Sequence, residues 1–183
     1  MFKIGEFIYP WGGGHYSRMM RLNAELPGYI RGEFEIHYSS KDHVYQKLIE
    51  EFPDSGNQIH KILMPTPIDG KFGPSVSLSM LNLLLPISQN PPLVKQISSY
   101  LKQERKLYNE KKFDIVINDG DMGSNVLAKN RDIPSLFITN QFMPRLYKTR
   151  SYFYPSLVFV AKQIAKASHI LSLIHISEPT RPY

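Results

Sequence analysis

Short runs of β-forming residues alternate with helical patterns along most of this chain, and no other feature restricts its fold so strongly. Phe2-Lys-Ile-Gly-Glu-Phe-Ile-Tyr9 is apolar and aromatic and runs into Pro10-Trp-Gly-Gly-Gly14, an order that reads strand, glycine loop, helix. From Ser17 to Leu26, residues Met19, Leu22 and Leu26 fall at helical spacing, and Pro27-Gly28 is expected to stop that helix. Phe34-Glu-Ile-His-Tyr38 reads as a second strand, Val44 to Phe52 as a helix, and Ile59 to Met64 as a third strand before a Gly- and Pro-rich loop. A charged helix follows from Val94 to Glu110, then the β-branched run Phe113-Asp-Ile-Val-Ile-Asn-Asp119, which has the character of a buried parallel strand. Gly123 to Asn130 reads as a helix and Pro134-Ser-Leu-Phe-Ile-Thr139 as a strand. Ser156 to Ser168 carries one apolar stripe at helical spacing, and His169-Ile170 begins a further strand.

Alternation of this kind with short connections implies an α/β fold, a doubly wound parallel sheet of Rossmann type covered by helices on both faces. Ligands in such folds sit beyond the carboxyl ends of the strands. The segments 10–18, 118–121 and 139–142 all follow strands and are expected on one rim. Ser77 to Leu85 is strongly apolar and ends at Pro86. It is expected to be a buried core helix, with an exposed element touching a membrane or lipid chain as the alternative.

At 183 residues, with 42% hydrophobic and 21% charged residues, the composition is that of one globular domain. No apolar run approaches the roughly 20 residues of a membrane span, and the start Met1-Phe-Lys-Ile-Gly-Glu lacks the features of a secretion signal, so a cytoplasmic location is expected. The absence of cysteine excludes disulfides and thiolate metal sites. Charge is uneven: residues 1–70 hold seven Lys/Arg against nine Asp/Glu, whereas residues 71–170 hold fourteen against six. Arg145, Lys148, Arg150, Lys162 and Lys166 fall in a stretch without an acidic residue, which suits either an anionic partner or a plain solvated face.

The final segment, Leu171-Ser-Leu-Ile-His-Ile-Ser-Glu-Pro-Thr-Arg-Pro-Tyr183, looks like the translation of an adapter used in sequencing libraries. The expected organisation is therefore a domain over 1–170, incomplete at its C-terminus, and a non-native tail over 171–183.

Gly12, Gly13 and Gly14 let the backbone turn tightly and approach a ligand closely, and the helix that follows offers free N–H groups to an anion. A plain tight turn would use the same glycines. His15, just inside that helix, is expected to favour its neutral form, which a general base requires. A histidine that merely ties the loop is the alternative. Asp119 closes its strand on the same rim, where a carboxylate could orient an imidazole. Equally, Asp119 or Asp121 could cap the helix beginning near Gly123. Asp119-Gly-Asp121 is also similar to a metal-binding Asp-x-Asp pair, but with no further ligand evident no metal is expected. His37, His43 and His60 are expected to be structural or surface residues.

The pattern Gly12-Gly-Gly-His15 with Arg18, together with Asp114-Ile-Val-Ile-Asn-Asp119 and Ile133-Pro-Ser-Leu-Phe-Ile-Thr-Asn-Gln141, resembles the N-terminal half of two-domain GT-B glycosyltransferases. The likeness spans residues 2–170 and lies near the MurG-like and UDP-glycosyltransferase-like families and their archaeal relatives. It implies an acceptor-side domain, a nucleotide-sugar donor held by a C-terminal domain outside this chain, and inverting transfer to a hydroxyl acceptor, lipid-linked in some members. That chemistry would place the protein in the cytoplasm or at the inner face of the membrane, with no cofactor and no nucleic acid as partner. His15 matches the family's loop histidine, a catalytic base, and Asp119 the carboxylate that orients it. Gly12, Gly13, Gly14 and Arg18 match substrate-binding positions, as do Asn140 and Gln141 more loosely. Pro10-Trp11 departs from the pattern, and without a donor domain the fragment is expected to be inactive alone.

A nicotinamide-binding fold is disfavoured because Ser17 stands where the third glycine of Gly-x-Gly-x-x-Gly belongs, and Tyr38-Ser-Ser40 replaces the acidic ribose ligand. A sugar-nucleotide epimerase on the same scaffold and a basic RNA-binding module using Arg145 to Lys166 are the remaining alternatives.

Overall fold

The structure is a computed structural model that describes residues 1–10, 14–66, 68–70, 73–87, 90–139, 158 and 161–172. Along the chain run β1 (Phe2–Ile8), α1 (Gly14–Tyr29), β2 (Phe34–Ser40), α2 (Asp42–Glu51), a 3₁₀ turn (Pro53–Gln58) and β3 (Ile59–Lys61). A small antiparallel hairpin follows, β4 (Asp69–Gly70) with β5 (Gly73–Pro74), then α3 (Val76–Leu81) and α4 (Leu93–Lys111). The chain continues through β6 (Ile115–Asp119), α5 (Met122–Lys129), β7 (Ser135–Thr139) and β8 (His169–Ser172), with helical turns at 161–164 before β8.

Six strands form one sheet in the order β3-β2-β1-β6-β7-β8, parallel at every pairing. The chain winds outward from β1 to β3, crosses back through α4 to β6, and winds outward again to β8. The order reverses between β1 and β6, so those neighbours are joined by no short loop and their carboxyl ends leave a crevice.

Alternation within each strand sends residues to two cores. On one face Ile4 and Ile8 of β1 and Ile117 of β6 pack with Tyr16 and Met19 of α1 and Val44 and Leu48 of α2. On the other face Phe7 and Val116 pack with Tyr100, Leu107 and Tyr108 of α4 and Leu127 and Ala128 of α5. The near-continuous apolar character of β1 and β6 follows from burial on both sides.

The structure departs from expectation in four places. Pro27 does not stop α1: it removes one donor in the last turn only, and Ile30 N bonds to Leu26 O at 3.0 Å. β3 is shorter than its apolar run. The β4–β5 hairpin has no periodic signal to find. The segment around α3 is not a buried core helix, since Leu81, Leu84 and Leu85 are all more than half exposed. Six helical residues followed by a turn are too short to bury an apolar face against the sheet.

Candidate active site

Register brings the site together. β1 pairs with β6 so that Ile8 lies opposite Asp119, and Tyr9 N bonds to Asp119 O at 3.0 Å, which fixes the rim where α1 begins. Within β6, Ile115, Ile117 and Asp119 face α1, whereas Val116 and Asn118 face α4 and α5. Asp119 is the last residue of the strand, so its carboxylate reaches the first turn of α1. His15 Nδ1 lies 2.6 Å from Asp119 Oδ1. Arg18, one helical turn on from His15, forks over the same carboxylate with Nε 2.9 Å from Oδ2 and Nη2 2.7 Å from Oδ1. Asp119 is fully buried, while His15 and Arg18 remain 20% and 23% exposed. A buried carboxylate held by a guanidinium thus orients an imidazole that still reaches solvent.

Two neighbours complete the setting, and both escaped the sequence reading. Tyr9 meets the His15 ring edge-on at 5.8 Å and donates its hydroxyl to Pro65 O at 2.9 Å, tying the loop after β3 to the rim. Burial and then the charge of Asp121 push the Tyr9 phenol upward, so it stays neutral. Gly120 has φ +85°, and a Cβ there would sit 2.9 Å from His15 Cε1 and 3.0 Å from Tyr9 Cβ. Only a glycine fits at that point. Its signal was present in Asp119-Gly-Asp121, a glycine directly after a strand.

The structure divides the roles of those two aspartates. Asp121 caps α5, its Oδ2 accepting from Ser124 N at 3.1 Å, and its Oδ1 accepts from the Tyr100 hydroxyl. Burial, partly offset by these bonds, raises the Asp121 carboxyl. Asp119 is bound from α1 and Asp121 from α4 and α5, on opposite sides of the sheet, so they do not form a shared pair for a cation. Among the described residues no three His, Cys, Asp or Glu side chains gather in a way that could hold a metal.

Of the remaining residues singled out in the sequence, Gly14 opens α1 beside Arg18. Its helix directs N–H groups that lack helical acceptors toward the same rim. Gly12, Gly13, Asn140 and Gln141 lie outside the described residues, as do Arg145, Lys148 and Arg150. Thr139 ends β7 one strand away from Asp119. His37 and His60 are elsewhere, stacked on each other with Nδ1 of His37 3.1 Å from Nε2 of His60. Desolvation lowers both, His60 to about 4.

No family model and no curated protein sequence matches this chain. Solved structures do. The UDP-GlcNAc 2-epimerase of Methanocaldococcus jannaschii matches with a TM-score of 0.53 at 11% identity, over 93% of this chain and 39% of that one. Acinetobacter baumannii MurG matches with a TM-score of 0.52 at 10% identity, over 98% of this chain and 44% of that one. This chain has the fold of a Rossmann-like half of a GT-B structure. It spans less than half the length of either neighbour, and at these identities the likeness is one of fold.

Proposed function

We propose that this chain is the acceptor-side half of an inverting glycosyltransferase, with His15 as general base, Asp119 as its orienting carboxylate and no metal. The observation that carries this reading is the 2.6 Å contact between His15 Nδ1 and Asp119 Oδ1 at the point where the strand order reverses. In the proposed reaction the acceptor hydroxyl gives its proton to His15 Nε2 as its oxygen bonds to the anomeric carbon of a nucleotide sugar. The bond from that carbon to the diphosphate breaks on the opposite side, and the nucleoside diphosphate leaves. Asp119 stabilises the imidazolium that forms. The first turn of α1 faces the charge developing on the leaving group. The donor would be held by a second domain outside this chain.

The acceptor we favour is lipid-linked, used at the inner face of a membrane. Leu81, Leu84, Leu85, Val94 and Ile97 are exposed around the turn joining α3 to α4, beside exposed Lys95, and no described helix is long and apolar enough to cross a bilayer.

In the full reading frame that contains this chain, His15→Ala should abolish sugar transfer and leave the circular dichroism spectrum unchanged. Near-normal turnover would remove His15 from the chemistry. The epimerase among the structural neighbours makes epimer formation the second reading. Assaying a nucleotide sugar with and without a hydroxyl acceptor separates the two, because only transfer requires the acceptor.

A further inference from the structure

Arg18 is placed among substrate-binding residues by resemblance, and in the structure its Nε and Nη2 face Asp119. Its Nε and Nη2 reach both carboxylate oxygens at 2.9 and 2.7 Å, a side-on grip that leaves the carboxylate one orientation. Asp119 Oδ1 then takes two donors, Arg18 Nη2 and His15 Nδ1. The two nitrogens lie 3.0 Å apart because they share that oxygen. Were Nδ1 unprotonated, its lone pair would face a carboxylate oxygen at 2.6 Å with no hydrogen between them, a repulsive contact. The proton therefore sits on Nδ1, which in the neutral ring leaves the lone pair on Nε2.

We propose that Arg18 is a positioning residue for His15: by locking the Asp119 carboxylate it fixes the imidazole in the Nδ1–H tautomer and makes Nε2 the basic atom. The role in catalysis rests on the transfer reading above, but the tautomer does not. Lysine at this position would keep the charge and lose the two-point grip, because an ammonium binds as a single point. Glutamine would lose both.

The test uses ¹⁵N-labelled protein and long-range ¹H–¹⁵N correlation of the His15 ring at neutral pH, in wild type, Arg18→Gln and Arg18→Lys, with the amide spectrum as a check on folding. The expected result is the Nδ1–H pattern in wild type. Both variants should show a substantial Nε2–H population, the form free imidazole favours in water. An Nε2–H ring in the wild type, or an unchanged Nδ1–H ring in either folded variant, would overturn the proposal. In the full reading frame Arg18→Gln should lower kcat on the order of tenfold with donor KM little changed. A rise in donor KM with kcat intact would assign Arg18 to the ligand instead and also overturn it. If no transfer activity exists at all, the ring spectrum still decides the positioning role, so the two failures are distinguishable.

Discussion

At the scale of single residues, the site depends on what surrounds His15 as much as on His15 itself. Gly120 holds a backbone conformation that L side chains rarely adopt, and its missing Cβ is the space His15 occupies. Gly120→Ala should cost about 1–3 kcal/mol of stability and, by displacing the imidazole, lower turnover up to roughly a hundredfold, measured by denaturant unfolding and steady-state kinetics. Glu6 poses a different problem. It is fully buried in β1, and desolvation raises its carboxyl to about 8 against a weaker opposing bond from Asn23. Asn23 Nδ2 donates to Glu6 Oε2 at 3.0 Å, while Glu6 Oε1 and Asn23 Oδ1 are both buried without a partner. A proton on Oε1 offers Asn23 Oδ1 the donor it lacks, so the neutral acid suits the pair. Its folded value lies above the unfolded one, so the stability it provides is complete below about 4.5 and is lost as pH rises toward 8. Glu6→Gln keeps a donor and an acceptor at every pH. Its gain in stability over wild type, read from Tm, should be small at pH 5 and reach roughly 2–4 kcal/mol at pH 9.

At the scale of elements, the sequence showed most strands and helices because apolar periodicity reports burial, and it faltered where burial and periodicity part. β1 and β6 were readable from their β-formers, and α4 from its charged helical pattern. The segment around α3 has the composition of a core helix but stays exposed, since apolar content alone does not say what an element packs against. Leu84→Ser with Leu85→Ser should change Tm little, both side chains being exposed, and should weaken co-flotation with anionic vesicles if this turn meets a membrane. Undiminished flotation of the double variant would remove the turn from membrane contact. The turn that follows Asp119 is anchored from behind by Asp121, which caps α5 and accepts from the Tyr100 hydroxyl. Asp121→Ala removes the cap and leaves a buried phenol without its acceptor, so a loss of about 2–4 kcal/mol in urea unfolding is expected.

At the scale of the whole molecule, the candidate site follows from topology. His15 and Asp119 are 104 residues apart in sequence, and only the reversal of strand order between β1 and β6 makes them neighbours. The sequence marked both as rim residues, because each follows a strand in a parallel sheet. It could not show Arg18 gripping the Asp119 carboxylate, since that depends on the register of β1 against β6. Nor could it separate Asp119 from Asp121, which differ only in the face each one meets. If His15 and Asp119 act as one unit in sugar transfer, the losses from removing them are not independent. A double-mutant cycle on kcat/KM in the full reading frame tests it most directly, using His15→Ala, Asp119→Asn and both together. The double variant should be scarcely worse than His15→Ala alone, and losses that multiply as independent effects would refute the paired role.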